Sequence, residues 1–349
     1  MESKIYIYIL LLFVVFNIFY LIEQKKLNKL MFKEFTKLKE NQLKIYKEKD
    51  LKLSKVEEEN LAKTKRNNDE ITVALCVIAK NENKYIKEYV NFYHDIGVSK
   101  VFLYDNNEID GEKYQDYLKE ELKLNYVEII DYRGKIIAQN DAYNECYSNN
   151  KYKYDWFIIT DCDEFYYLKE GNLQKFLNKI YFKKCDSITL RLMYMGDNNL
   201  TYYDNRPIQE RFKGAKELED ISIKSIHRGG QSNIKLNPHF MMNNKDKVQC
   251  NTEGEIVKLT GFLSNKGTFS NGYIRHYAYK TAEELYNKLL RGWPDRKKNS
   301  ESFFNLTERR IKGFFEINIL TKEKFKLLKP LIRNKILIKE LEYKLKYIF

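Results

Sequence analysis

The chain has 349 residues, enough for one large domain or two small ones. Charged residues make up 32% of it, but aromatic residues make up 15%, which excludes a disordered composition. The net charge of +13 lies mostly in the flanks, with only about +3 over residues 71–320, so it points to a membrane surface or solvated faces and excludes a broad nucleic-acid groove.

Ile5 to Ile22 is an apolar run interrupted only by Asn17. At ~1.5 Å per residue it spans a hydrocarbon core of ~30 Å. It is longer than a typical signal-peptide core, and no small-x-small cleavage site follows it. Residues 1–22 therefore read as an uncleaved, single-pass membrane anchor. Lys25, Lys26, Lys29 and Lys33 follow the run, against Glu2 and Lys4 before it. The positive-inside rule then puts the carboxyl-terminal bulk in the cytoplasm, whereas a eukaryotic protein of the Golgi lumen would have the opposite orientation. Residues 23–70 are rich in Lys and Glu and lack Pro and Gly. Leu27, Leu30, Met31, Phe35 and Leu38 give a partial helical stripe. This is a helical stem, either pairing into a homo-oligomer or a single solvated helix.

At Ile71 the pattern changes. Thr72 to Ala79 is a continuous apolar run, the mark of a strand buried on both faces. Tyr85, Ile86, Tyr89, Val90 and Tyr93 recur at helical spacing, and Gly97 stops that helix. Val98 to Tyr104 is a second strand, Tyr114 to Leu122 a helix, and Val127 to Ile130 a third strand. Ala138 to Tyr147 is a helix. The stretch Tyr154 to Phe165 supplies the fourth strand, an apolar run that ends in the three carboxylates Asp161, Asp163 and Glu164. Alternating strand and helix is the pattern of a parallel sheet with helices on both faces. Beyond it, Asn172 caps a helix through Ile180, and Ser187 to Met193 is a strand. Short strand-like runs follow at Ile221 to Ile226 and Glu255 to Leu259. Ala282 to Leu290 and Phe304 to Ile319 are helices. Thr321 to Phe349 is a basic amphipathic tail interrupted at Pro330, suited to a membrane surface, to the domain or to a second chain.

Four polar clusters follow the first four strands: Asn81 and Glu82; Asp105, Asn106 and Asn107; Gln139, Asn140 and Asp141; Asp161 and Asp163. Capping and turn chemistry explain each alone. Capping does not explain why all four fall on one edge of a parallel sheet, where such sheets hold ligands. In extended chain, Asp161 and Asp163 share a side and Cys162 faces the other. Two hard oxygen ligands suit Mg²⁺ or Mn²⁺ on a substrate diphosphate, although a lone Asp-x-Asp is more often a solvated acidic turn. No P-loop, dinucleotide fingerprint or Gly-x-Ser-x-Gly elbow is present. The five cysteines form no Cys-x-x-Cys pair, and they read as buried structural thiols, against a disulfide framework or a zinc site. His94 faces out of the first helix, and His276 stands in a polar and aromatic setting.

Val77-Ile78-Ala79-Lys80-Asn81-Glu82, Tyr89-Val90-Asn91-Phe92-Tyr93-His94 and Leu103-Tyr104-Asp105-Asn106-Asn107 resemble the opening of glycosyltransferase family 92 and related family-2-like enzymes. Gln139-Asn140-Asp141-Ala142-Tyr143 and the stretch Trp156 to Phe165 match the next two motifs. Glu210-Arg211-Phe212, Lys224-Ser225-Ile226, Asn237-Pro238-His239, Arg275-His276-Tyr277 and Lys280-Thr281-Ala282-Glu283-Glu284 follow in order, and Lys288 and Arg291-Gly292 close the match. The resemblance covers about residues 72–293. Cys162 stands where the pattern more often has an aliphatic residue.

The resemblance implies a GT-A fold, an α/β architecture with a Rossmann-like mixed sheet, a nucleotide-sugar donor and a divalent metal, Mn²⁺ or Mg²⁺. By position, Asp163 is a metal ligand, Asp161 binds metal or ribose, and His276 is a candidate third ligand. Asn81, Glu82, Asp105 and Gln139 belong to the nucleotide site. Lys280 and Arg291 are possible helpers on the departing diphosphate. Glu210 and Asp197 are the candidate bases, with Asp220 behind them. The expected organisation is an anchor over 1–22, a stem over 23–70, a catalytic domain over 71–300 and a helical basic extension over 301–349. The expected function is inverting, metal-dependent transfer from a nucleotide sugar, such as a UDP-sugar, to a glycan, lipid-linked or protein-linked acceptor. A cytoplasmic site would point to polysaccharide precursors such as capsule or lipopolysaccharide. The alternatives are nucleotidyl transfer to a sugar phosphate and a non-catalytic membrane-anchored scaffold.

Overall fold

A computed structural model describes residues 70–214, 222–242, 246–261, 263–264, 267–292 and 299–347. The expected anchor, nearly all of the stem, and Asp220 lie outside the described residues. Among the described residues no helix is long and apolar enough to cross a membrane.

Strand β1 (Val73–Ala79) is buried at every position, as its unbroken apolar run requires. It pairs in parallel with β2 (Lys100–Asp105), which pairs in parallel with β3 (Val127–Asp131). On its other side β1 pairs in parallel with β4 (Trp156–Ile159). Helix α1 (Ile86–Asp95) buries Ile86, Tyr89, Val90 and Tyr93, and Gly97 ends it at φ +103, a conformation that costs glycine no steric penalty. The helix expected over 114–122 is two short ones, α2 (Tyr114–Tyr117) and α3 (Lys119–Lys123), broken at Leu118. Helix α4 (Gln139–Asn150) covers the other face of the sheet. Period-two alternation in β1 separates the two cores: Val73, Leu75 and Val77 pack with Tyr89 and Tyr93 of α1, and Ala74, Cys76 and Ile78 pack with Ala142, Tyr143 and Tyr147 of α4.

The acidic turn does not lead into a helix. Glu164 begins β5 (Glu164–Leu168), and the cap of Asn172 opens only α5 (Leu173–Leu177) before a 3₁₀ turn. The sheet continues through β6 (Ser187–Tyr194) and, after the short α6 (Ile208–Arg211), β7 (Ile223–Arg228), which runs antiparallel to both β4 and β6. Short pairs β8 (Lys235–Leu236) with β9 (Met241–Met242) and β10 (Gln249–Cys250) with β6 follow. The strand expected at 255–259 makes only an isolated bridge from Ile256 to Cys250. Strand β11 (Gly272–His276) lies between β6 and β5. The order is β3-β2-β1-β4-β7-β6-β11-β5, a mixed sheet.

Helices α7 (Ala282–Arg291), α8 (Glu301–Ile317), α9 (Lys322–Leu328) and α10 (Lys335–Tyr347) share a third core, with Leu285, Leu289, Ile311, Phe314, Phe325, Leu328 and Leu341 buried together. The amphipathic tail thus docks on its own domain. Removing a buried phenylalanine from such a core, as in Phe314→Ala, costs about 3–5 kcal/mol.

The cysteine expectation is corrected. Cys76 pairs with Cys146 across a Cα separation of 6.1 Å, and Cys185 with Cys250 across 5.9 Å. Only Cys162 remains a free, buried thiol among the described residues. The partners are 70 and 65 residues apart in sequence, so no local spacing announces them.

Candidate active site

The parallel strands β1 to β4 deliver their carboxyl-terminal turns to one edge, and the acidic turn sits there between β4 and β5. Cys162 points into the core beside Phe165 and Tyr166, so its two aspartates are left on the edge. Asp161 Oδ1 accepts from Gln139 Nε2 at 3.1 Å and from Tyr143 Oη at 3.2 Å, both on α4. Its Oδ2 accepts from Lys224 Nζ of β7 at 2.9 Å. Burial raises the Asp161 carboxyl, but the charge and hydrogen bond of Lys224, helped by His239, bring it below the ordinary range. Ile137, a β-branched residue held at φ +54, precedes the start of α4, and such strain of about 1–3 kcal/mol tends to gather at functional sites.

Asp163 faces the opposite elements. Its Oδ1 is 3.6 Å from His276 Nε2 at the end of β11, and its Oδ2 is 2.5 Å from Lys288 Nζ of α7. Burial raises this carboxyl, yet Lys288, His276 and Lys280 together pull it well below the usual range. Burial pushes the His276 imidazole down to about 3, so the ring is neutral and able to act as a ligand.

Between the two aspartates lies Glu164, buried, with Thr160 Oγ1 donating to Oε2 at 2.7 Å and the Asp161 amide at 3.0 Å. Lys224 Nζ is 3.1 Å from the same oxygen. Burial raises the Glu164 carboxyl and Lys224 offsets only part of this, leaving it at about 7.

Glu82 receives Arg291 at 2.6 Å on Oε1 and Lys280 at 3.3 Å on Oε2. Burial raises its carboxyl, but Arg291 and then Lys280 bring it below the ordinary value. Lys280 itself sits in the left-handed region at φ +57, with its ammonium 3.8 Å above the Tyr85 ring. It stands just before the capping box of Thr281 and Glu284 that starts α7, and the same Glu284 binds Arg211 at 2.8 Å. Asn81, at φ +53, donates its amide to Asn107 Oδ1 at 2.7 Å. Asp105 is buried and turned into its own loop, accepting the amides of Asn107 at 3.0 Å and Tyr114 at 3.3 Å. Burial raises its carboxyl despite these two bonds.

The structure therefore gathers Asn81, Glu82, Asp105, Gln139, Asp161, Asp163 and His276 along one edge, but not in a single ligand set. Among the described residues no group of three His, Cys, Asp or Glu side chains is arranged to hold a cation. Asp163 and His276 fit a divalent ion as oxygen and nitrogen donors, and beside them Glu164 Oε1 is buried without a hydrogen-bond partner. Asp161 is turned away from this pair, to Gln139, Tyr143 and Lys224. Of the base candidates, Glu210 is exposed on α6. Asp197 is buried and ion-paired with Lys324 of α9 at 2.5 Å.

Sequence reasoning left Lys224, Tyr143 and Glu164 without roles. A lysine inside the otherwise strand-like run Ile223-Lys224-Ser225-Ile226 was the available signal, since a charge is rarely buried in a sheet without a partner.

The sequence model described as glycosyltransferase family 92 matches residues 69–316. A family 92 glycosyltransferase of Ricinus communis is 25% identical over 235 residues, which is 65% of this chain and 38% of that protein. One of Arabidopsis thaliana is 28% identical over 107 residues, 30% of this chain and 18% of that protein. The chain thus spans 38% or less of the length of these curated relatives. Among solved structures, S. aureus TarS in complex with UDP-GlcNAc is similar with a TM-score of 0.37 and 10% identity, covering 75% of this chain and 71% of that one. A mannosyltransferase of Pyrobaculum calidifontis in complex with GDP-Man and Mn²⁺ is similar with a TM-score of 0.27 and 12% identity, covering 40% of this chain and 42% of that one.

Proposed function

The chain belongs to glycosyltransferase family 92, and from that premise we propose that it transfers a sugar from a nucleotide-sugar donor, a UDP-sugar in the first instance, to a hydroxyl of a glycan, lipid-linked or protein-linked acceptor. The mixed sheet takes the role of a GT-A fold, with the nucleotide along the carboxyl edge of β1 to β4. The observation that carries this reading is the pairing of Asp161 and Asp163 with opposite sides of that edge. One carboxylate is fixed by α4 and β7, the other by β11 and α7.

Breaking the anomeric bond places negative charge on the departing diphosphate. Lys280, Lys288 and Arg291 line the edge with ammonium and guanidinium groups that can meet it. Asp163 and His276 would hold a divalent cation, which supplies further stabilisation of the leaving group when bound. Gln139 and Tyr143 fix Asp161 on the side of the edge away from the cation, where it can meet the ribose. For an inverting transfer the base must reach the acceptor hydroxyl. Glu210 is the base this reading retains, because its carboxylate is open to solvent on the helix that Arg211 ties to Glu284. Asp197 is occupied by Lys324.

Compartment and anchoring belong to the same proposal. The apolar run over 1–22 serves as a membrane anchor. Two disulfides within the domain support an oxidising compartment, which favours the lumenal orientation over the cytoplasmic one expected from the charges. Peptide mapping without reductant, on chain trapped with a thiol-blocking reagent in intact cells, tests this. Recovery of Cys76 and Cys146 as blocked free thiols would return the domain to the cytoplasm.

The activity test is nucleotide release from a panel of UDP- and GDP-sugars with Mn²⁺, using the full chain. Nucleoside diphosphate release is expected, together with its loss in Glu210→Gln at unchanged donor binding. Conversion of the nucleotide sugar and added pyrophosphate into a nucleoside triphosphate and a sugar 1-phosphate would instead replace this reading with nucleotidyl transfer. No binding of any nucleotide sugar would leave a scaffold.

A further inference from the structure

Much of the carboxyl edge is already ion-paired without any ligand. Glu82, Asp161, Asp163 and Glu164 face Lys224, Lys280, Lys288 and Arg291, each within ion-pair distance of a partner. A divalent cation arriving alone at Asp163 would bring excess positive charge beside Lys288, and like charges at that distance repel strongly in a partly buried site. A nucleoside diphosphate arriving with it would bring the compensating negative charge and a new partner for a cation.

The four cations are not equally free to take that partner. Lys224 is 1% exposed and bonds both Asp161 and Glu164. Lys280 is 6% exposed and lies against the Tyr85 ring. Arg291 bonds Glu82 and the carbonyls of Lys80 and Asn81. Lys288 is 22% exposed, bonds a single oxygen of Asp163 and otherwise donates to the Ala278 carbonyl at 3.2 Å. It projects from α7 on a flexible four-carbon stem that can swing its charge without moving the helix.

We propose that Lys288 is the residue that couples metal to nucleotide. In the nucleotide-free chain its ammonium neutralises Asp163. On donor binding it transfers to the diphosphate, which frees Asp163 to ligate the metal beside His276. Metal and nucleoside diphosphate then bind cooperatively, and each binds weakly alone. This rests on the nucleotide-sugar reading of the same site. Lys288 acts as a positioning residue for Asp163 and as a contact to the diphosphate.

The test measures Mn²⁺ affinity of the full chain from the electron paramagnetic resonance signal of free Mn²⁺, with no nucleotide, with UDP and with GDP. In the wild type, one of the two nucleotides should raise Mn²⁺ affinity by on the order of tenfold or more. Lys288→Met should bind Mn²⁺ alone about tenfold more tightly than the wild type, and nucleotide should add little. Lys288→Arg, which keeps the charge, should keep weak binding of metal alone. Lys288→Gln serves in place of the methionine variant if circular dichroism shows that one unfolded. Unchanged Mn²⁺ affinity in the neutral variants, with coupling intact, would overturn the proposal, as would a wild type that binds nucleotide with no coupling to metal. Failure of UDP and GDP to bind at all, with or without Mn²⁺, would instead remove the nucleotide-sugar reading and this proposal with it.

Discussion

At the carboxyl edge of the sheet, Lys224 and Glu164 are each 1% exposed; on the last helix, Lys344 and Glu340 are 53% and 44% exposed. Both regions hold lysine–carboxylate pairs, but the pairs differ in what sustains them. The C-terminal helices stand on Leu328, Leu337, Leu341 and their apolar neighbours, and their charges face water. At the edge the charges themselves are inside, which costs desolvation that a purely structural sheet would avoid. A fold keeps such a cluster where chemistry needs fixed charges. One pair crosses between the two styles: Lys324 of α9 is buried against Asp197, and it anchors the helical extension to the loop after β6.

Removing one member of a buried cluster should therefore cost most. Lys224→Met leaves Asp161 and Glu164 without their shared cation, and should destabilise the chain by about 3–5 kcal/mol in denaturant titration. A loss below about 1 kcal/mol would mean that water reaches this cluster and that the contrast with the helices is false. Asp163→Asn sharpens the same contrast on the side of function. It keeps the volume and removes the charge facing His276 and Lys288, and should lower nucleotide release by roughly 10²–10³-fold with the fold intact by circular dichroism. Release within tenfold of the wild type would take Asp163 out of the reaction.

A pH titration of stability tests burial without relying on activity. Glu164 is raised from 4.5 to about 7, with burial as the main cause. The folded chain then holds a proton on Glu164 that the unfolded chain has released between these values. Stability from this group is thus full below about pH 4.5 and is lost as pH rises toward 7. The loss should total roughly 3 kcal/mol in the metal-free chain. Glu164→Gln should remove this downward slope, measured as unfolding free energy from pH 5 to 7.5. Asp163, held low by Lys288 and His276, contributes the opposite sign, and its stabilisation fades only under more acidic conditions. Identical slopes in the wild type and Glu164→Gln would show that Glu164 is solvated.

The first half of the domain could be read residue by residue, and the second could not. β1 to β4 are announced by continuous apolar runs, and Asn81, Glu82, Asp105, Asp161 and Asp163 follow those runs within a few residues. The place of Asn81, Glu82, Asp105, Asp161 and Asp163 on the edge, and of Gln139 at the start of the helix after β3, was visible from local pattern, but their individual roles came from the family resemblance. His276 stood out weakly by its polar and aromatic setting, and the resemblance to a family motif made it a ligand candidate. Lys224 and Lys288 reach their carboxylates from 63 and 125 residues away, and no periodicity encodes such a pairing. The same is true of the disulfides, and of β7, whose antiparallel insertion between β4 and β6 places Lys224 at the centre. Asp197 illustrates the converse. In sequence it is an acidic residue in a polar loop, available as a base. Only the docking of α9, itself legible merely as an amphipathic stretch, shows that Lys324 claims it.

The smallest expected effect is on the far side of the comparison. Glu340 and Lys344 lie one turn apart on α10, 2.8 Å between charged atoms, with the acid toward the helix amino terminus as such pairs prefer. Their chemistry matches that of Lys224 and Glu164, but both side chains remain hydrated, so little desolvation is incurred and little attraction is gained. Glu340→Gln should change unfolding free energy by no more than about 0.5 kcal/mol, and less in high salt. Leu341→Ala, one residue on and buried at 2% exposure, should cost about 2 kcal/mol or more. Measured side by side in the same denaturant series, the two substitutions separate the contributions of charge and of apolar burial within one helix. If Glu340→Gln proved as costly as Leu341→Ala, the helical extension would depend on its ion pairs, and burial would no longer distinguish it from the edge.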